Sequence, residues 1–167
     1  MSNAKIISLS QAEMDAEHWK SNGKTVVFTN GVFDIMHKGH CQYLKEASKM
    51  GDRLIIGLNS DASVKRLGKG DKRPINDQDA RAFVLSCLYF IDAIVVFDQD
   101  TPLEIIQVIK PNILVKGGDY YESETDKSSD KYIVGSDIVK EEGGKVRTID
   151  LVEGYSTTSI IEKMKNG

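Results

Sequence analysis

Five short apolar runs dominate the layout of this chain: Thr25 to Thr29, Arg53 to Leu58, Ala93 to Phe97, Ile113 to Lys116 and Lys145 to Ile149. Segments patterned as helices lie between them. Strands separated by helices cannot pair as hairpins. They are joined by crossovers, which place parallel strands in one sheet and helices over its faces. The spacing therefore predicts an α/β fold rather than a bundle or a sandwich.

The helical segments have legible limits. A first helix is expected over Gln11 to Ser21. A second runs from about Gly39 to Met50 and ends at Gly51. Asn59-Ser60-Asp61 caps a short third helix, and a polar loop follows from Gly68 to Asn76. Further helices are expected over Asp77 to Leu88, after Thr101-Pro102, over Tyr132 to Glu142, and from about Thr157. Tyr120 to Lys131 is polar and reads as a loop. The 167 residues suit one domain, with a core over about 25–164 and an N-terminal helical extension over 1–24. The formal net charge of -3 gives no broad electrostatic footprint for nucleic acid. No apolar run is long enough to span a bilayer, and no signal peptide is visible. Cys41 and Cys87 make no metal-ligand spacing and read as free thiols, which suits a reducing, cytoplasmic location.

Thr29 to His40 carries the chemistry. It reads TNGVFDIMHKGH and follows directly on the first strand. A strand, a turn and a helix start form the setting in which a nucleotide phosphate chain is held. His37 and His40, three residues apart, lie on one helix face. The helix start adds unpaired backbone N–H groups and the positive end of its dipole. Gly39 carries no side chain to keep a phosphate from the backbone. Asn30 and Gly31 end the strand, where backbone can approach a ligand. A lone histidine would read as surface or core; two at this spacing after Gly31-x-Phe33-Asp34 read as phosphate donors.

Gly-x-Phe-Asp-x-x-His-x-Gly-His resembles the signature of the nucleotidyltransferase superfamily of cytidylyltransferases and adenylyltransferases. The longer string is similar to the adenylyltransferase domains that make ADP-heptose, from about Thr25 to Met164. The resemblance implies a Rossmann-like, doubly wound sheet of five parallel strands in the order 3-2-1-4-5. It assigns His37 and His40 to stabilising charge on the α-phosphate and the departing pyrophosphate. Phe33, within the same signature, falls among the nucleotide-binding positions. Asp34 is implied near the acceptor substrate or in orienting the site; as a bare residue it could equally be a cap.

Gly154-Tyr155-Ser156-Thr157-Thr158-Ser159-Ile160-Ile161 resembles the family's C-terminal phosphate-binding motif, although any one of Ser156, Thr157 and Thr158 could simply cap a helix. Lys116-Gly117-Gly118-Asp119-Tyr120 ends the fourth strand beside the expected switch point, where its glycines would let a base or ribose lie against the backbone. Lys116, Gly117 and Asp119 are thus expected nucleotide-binding residues. Lys65, Arg66, Lys69, Lys72 and Arg73 form a basic run, and most of such a run is usually solvated. Arg73-Pro74-Ile75 resembles a family segment, so Arg73 is the cation expected in catalysis. Arg81 matches another family arginine near the nucleotide and is expected to bind substrate; the plain alternative is an ion pair with Asp77 one turn earlier. Tyr120 and Tyr121 could shape a sugar pocket or be idle.

The implied reaction joins ATP to a sugar 1-phosphate, first D-glycero-D-manno-heptose 1-phosphate, with Mg²⁺ bridging the phosphates and no protein metal cage. A glycerol-3-phosphate cytidylyltransferase is the nearest rival, but its Arg-Thr before Glu-Gly is replaced here by Leu151-Val152 before Glu153-Gly154. An FAD synthetase and a non-catalytic nucleotide-binding module remain alternatives. A homodimer, common among relatives, and a separate sugar kinase supplying the phosphate are the expected partners. No nucleic acid or membrane is expected.

Overall fold

The structure, a computed structural model, describes residues 4–68, 73–152 and 154–166. Lys69, Lys72 and Glu153 lie outside the described residues. The elements in chain order are α1 (Leu9–Ser21), β1 (Val26–Gly31), α2 (Lys38–Ser48), β2 (Arg53–Asn59), α3 (Asp61–Arg66), α4 (Gln78–Ser86), β3 (Ala93–Phe97), α5 (Leu103–Ile109), β4 (Ile113–Gly117), α6 (Ser136–Glu141), β5 (Lys145–Ile149) and α7 (Thr157–Asn166). All five strands are parallel, in the order β3-β2-β1-β4-β5. The fold is the expected single α/β domain.

Alternation along the strands sorts their side chains to two faces. Val26, Phe28 and Leu114 join Ala12 and Ala16 of α1 and Ile105, Ile106 and Ile109 of α5 in one core layer. Val27 and Val115 join Tyr43 and Leu44 of α2, and Leu85 of α4, in the other. Residues ahead of β1 are tied in as well. Ile6 forms a β-bridge to Ile94, and Ser8 caps α1 by accepting the Gln11 N–H.

The pairing lengths place the crevice. β1 pairs with β2 over its whole length, from Val26↔Arg53 to Gly31↔Leu58. Against β4 it pairs only at Val27↔Ile113 and Phe28↔Leu114. Beyond Phe28 the ends of β1 and β4 part, and β5 follows β4 to Gly117↔Ile149. This is where ligands bind in open α/β sheets, at the carboxyl ends of strands flanking a switch point. Tyr43 fills the gap from the α2 side. Its hydroxyl lies 2.6 Å from that of Thr29 and donates to the Val115 carbonyl at 3.4 Å.

One element differs from its sequence reading. The helix expected over Tyr132 to Glu142 starts only at Ser136, because Gly135 sits in the left-handed region at φ 82. A Cβ there would lie 2.7 Å from Ile106 Cδ1. The turn before α6 is therefore set by packing on α5, and Tyr132 instead donates its hydroxyl to Asp137 at 2.9 Å. The 120–131 segment is a loop as expected, held by the Glu122 carboxylate, which accepts from the Thr148 N–H at 2.8 Å.

Candidate functional site

His37 is the N-cap of α2, with an extended backbone at φ -140 and ψ 173. Its Nδ1 accepts the His40 N–H at 3.4 Å, which leaves the ring proton on Nε2 when the imidazole is neutral. The two rings stack, with centroids 3.8 Å apart and planes 20° apart. Burial holds the His37 imidazole below the ordinary histidine range, so at neutral pH it is an uncharged donor. His40 also meets the Phe33 ring edge to face at 5.5 Å.

Gly39 is set by this stack. A Cβ there would lie 3.0 Å from His37 Cε1 and 3.2 Å from Tyr155 Cβ. Glycine is thus needed for the fit of the capping imidazole and for the approach of the C-terminal motif. Lys38 Nζ also lies over the Tyr155 ring, 5.1 Å from its centroid.

The turn between β1 and α2 is left-handed at two ordinary residues, Phe33 (φ 48) and Ile35 (φ 50). Such conformations cost about 1–3 kcal/mol each and persist only where the surroundings over-determine them. Asp34, between them, is 1% exposed. Its carboxylate accepts from the Ile75 N–H at 2.8 Å and the Asn76 N–H at 3.0 Å, with Arg73 Nε 2.8 Å from Oδ2. Burial pushes the Asp34 pKa up, but the Ile75 and Asn76 N–H groups and the Arg73 guanidinium outweigh it. The carboxyl is held below its usual range. Asp34 therefore orients Arg73 and anchors the end of the basic loop.

The C-terminal motif closes the same space. Thr157 Oγ1 donates to the Asp34 carbonyl at 2.9 Å, joining residues 123 apart in sequence. Ser156 accepts the Ser159 N–H at 3.0 Å and so caps α7. A cleft of about 540 Å³ is lined by Gly31, Asp34, His40, Arg73, Thr157 and Thr158, with Val32 and Phe33 completing its wall. His37 lies against the His40 ring. The His40 imidazole, stacked on His37, the Arg73 guanidinium and the Thr158 hydroxyl give the cleft donors suited to an anionic, phosphate-sized ligand.

Other expected residues lie elsewhere. Alternation puts Asn30 and Lys116 on the opposite sheet face from the imidazoles, where Lys116 Nζ donates to Asn30 Oδ1 at 3.1 Å across the gap between β1 and β4. They line a second cavity of about 70 Å³ with Tyr120 and Tyr132. Gly117 packs instead toward α2, since a Cβ there would lie 2.9 Å from Tyr43 Cε2 and 3.1 Å from Leu151 Cδ2. Asp119 is exposed at the following turn. Arg66 is not at the cleft; its Nε pairs with Asp100 at 2.7 Å. Arg81 is buried behind the turn, and its ion partner is Asp61 rather than Asp77. Asp77 caps α4 by accepting the Ala80 N–H at 2.7 Å.

Sequence reasoning did not single out Tyr43 or Asp61. Tyr43 lies three residues after His40, a helical spacing that could have flagged it as facing the same way. Asp61 offered only a capping signal.

The cytidylyltransferase-like family model matches residues 28–163 of the chain. The chain belongs to the cytidylyltransferase-like family. Among curated relatives, the bifunctional protein HldE of Nitratiruptor sp. is 52% identical over 161 residues, covering 96% of this chain and 32% of the relative. That of Campylobacter concisus is 59% identical over 143 residues, covering 86% and 28%. The chain thus spans about a third of the length of these relatives. Among solved structures, the lipopolysaccharide core biosynthesis protein from Thermoplasma volcanium has a TM-score of 0.60 and 28% identity, covering 80% of this chain and all of that one. A pantoate-beta-alanine ligase from Francisella tularensis shares the fold, at TM-score 0.59 and 13% identity. The family match takes in both the imidazole pair and the hydroxyl run that the cleft brings together.

Proposed function

We propose that this chain transfers AMP from MgATP to a sugar 1-phosphate, with D-glycero-D-manno-heptose 1-phosphate as the acceptor. The observation that carries the reading is the Thr157–Asp34 hydrogen bond, which joins the two family motifs around one cleft. The similarity to HldE proteins supports the heptose acceptor.

In this reaction an anionic phosphate oxygen of the acceptor attacks the α-phosphorus of ATP in line. A new P–O bond forms, the α–β bridge breaks, and pyrophosphate leaves with the electron pair. The attacking oxygen is already ionised, so no strong base is required. Catalysis is positioning and charge stabilisation. The imidazole N–H groups and the Arg73 guanidinium face the growing charge, and the Thr158 hydroxyl with the backbone N–H groups of Thr157 and Thr158 at the start of α7 hold the phosphate chain. Among the described residues no group of three His, Cys, Asp or Glu could hold a metal. Asp34, the carboxylate at the cleft, is already taken by Arg73 and two N–H groups. In this reading Mg²⁺ enters with the triphosphate as part of the substrate.

The cavity at Asn30, Lys116 and Tyr120 borders the same crevice and is our candidate contact for the sugar. Its volume suits about two waters, so it would take a sugar hydroxyl while the ring rests outside. Among the described residues no helix is long and apolar enough to cross a membrane. Both cysteines are free thiols, which agrees with the cytoplasm, where ATP is available.

The test is pyrophosphate release with each of ATP, CTP, GTP and UTP, Mg²⁺ and a panel of acceptors. Turnover with ATP and heptose 1-phosphate is expected. Release only with CTP and glycerol 3-phosphate would overturn the acceptor and nucleotide. ATP binding without release under any condition would make the chain a non-catalytic nucleotide-binding module.

A further inference from the structure

Arg81 is 2% exposed, yet it carries a charge. Burial of a guanidinium is tolerated only when its donors are satisfied. Here Nη1 donates to the Val32 carbonyl at 2.7 Å, Nε to the Asn76 carbonyl at 3.0 Å, and Nη2 to Asp61 Oδ1 at 2.7 Å. Each partner belongs to a different segment. Val32 directly precedes the left-handed Phe33, Asn76 ends the loop that carries Arg73, and Asp61 opens α3. Asp61 is itself tied to α4, because its N–H donates to Gln78 Oε1 at 3.1 Å.

We infer that Arg81 and Asp61 form a positioning pair that holds the strained Phe33 turn, and through it His40 and Arg73, in their working places. The pair acts from behind the cleft wall and touches no substrate. The Val32 carbonyl is fixed on one side of Phe33, and the Asp34 carboxylate on the other, where it grips residues 73, 75 and 76. The Phe33 ring meets His40 edge on. Loosening either anchor lets the turn relax toward right-handed backbone, which displaces that ring and the imidazole it abuts. Asp61 holds the guanidinium so that its other two arms point at the two carbonyls. The inference deepens the proposed transferase reading and rests on it for its kinetic arm only.

The experiment compares Asp61→Asn and Asp61→Glu with the parent chain. Asp61 is chosen because it is the more exposed partner, so its removal disturbs the core least. The first measurement is the set of histidine Cε1–H resonances by NMR. His18, on α1, is the internal reference. Asp61→Asn is expected to move the His40 resonance and leave His18 in place, and Asp61→Glu to return His40 toward the parent position. The second measurement is turnover. For Asp61→Asn, kcat is expected to fall about 10-fold to 100-fold, the scale of an ångström-level misplacement, with KM for ATP changed less than about threefold. Unmoved His40 in Asp61→Asn would overturn the inference. A loss confined to KM would also overturn it, by making Arg81 a substrate contact. Loss of fold in both variants would reduce the pair to a stability element. A parent chain inactive with every acceptor refutes the transferase reading, while the NMR arm still decides the pair.

Discussion

Asp34 serves the phosphate cleft without offering its carboxylate to a phosphate. The carboxylate takes two backbone N–H groups and Arg73, and its carbonyl takes Thr157. Asp34→Asn removes the charge that steadies Arg73 and turns an amide donor toward donors already present. We expect a stability loss of about 2 kcal/mol from buried groups left unpaired, measured by urea unfolding, and a fall in kcat/KM beyond what the unfolded fraction explains. His40 touches the cleft directly. His40→Ala should cut kcat by about 10²-fold or more through loss of one transition-state donor, with Tm nearly unchanged. Unchanged turnover would remove His40 from the mechanism. At this scale the sequence was partly legible. His37 and His40 announced themselves by spacing and neighbours. The partner of Arg81 did not, because Asp61 is 20 residues away and meets it only where the start of α3 comes beside α4 in the fold. Asp77, a turn away on the same helix, was the sequence-local choice but is used as a cap.

The elements show what local rules capture. Strand boundaries followed from apolar runs, and the start of α3 from Asn59-Ser60-Asp61, where Ser60 accepts the Ser63 N–H. Ser8 and Asp77 prove to cap α1 and α4 in the same way, one residue before each helix. The start of α6 was not legible. Gly135 breaks the helix because Ile106 leaves no room for a Cβ, a contact between elements far apart in sequence. At the start of α2, Gly39 was read as opening space for a phosphate, whereas its lack of a Cβ also admits the His37 ring and Tyr155. Gly39→Ala should therefore act by displacing the capping imidazole. We expect unchanged far-UV circular dichroism and a loss of about 10-fold or more in kcat. Parent-like kinetics would show that the stack tolerates a Cβ.

At the scale of the whole molecule, the sheet order is the one the family resemblance implied, and with it comes the crevice where the ends of β1 and β4 part. The division of the crevice between two faces, with imidazoles on one and Asn30 with Lys116 on the other, follows from strand alternation but was not drawn from the sequence, where all of these residues were grouped around one nucleotide. Titration of the fold should report the site as well. His37 has a lowered pKa in the folded chain, so below about pH 6.5 the unfolded chain binds more protons at this position. Stability should decline as pH falls from about 6.5 through the folded pKa. His37→Gln should flatten that part of a urea-midpoint profile against pH. Asp34, also lowered, contributes stability that is present above about pH 4 and lost as pH falls through its folded pKa. A profile identical for the parent and His37→Gln would contradict the assignment of a neutral, half-buried imidazole.

The convergence of the imidazole pair and the C-terminal hydroxyls on one polyphosphate is tested most directly by a crystal structure of the chain with Mg²⁺ and a non-hydrolysable ATP analogue. A ring nitrogen of His40 and either the hydroxyl of Thr158 or the backbone N–H of Thr157 should lie within hydrogen-bond distance of the same phosphate chain, with Arg73 against it. A triphosphate held away from either motif would contradict the account.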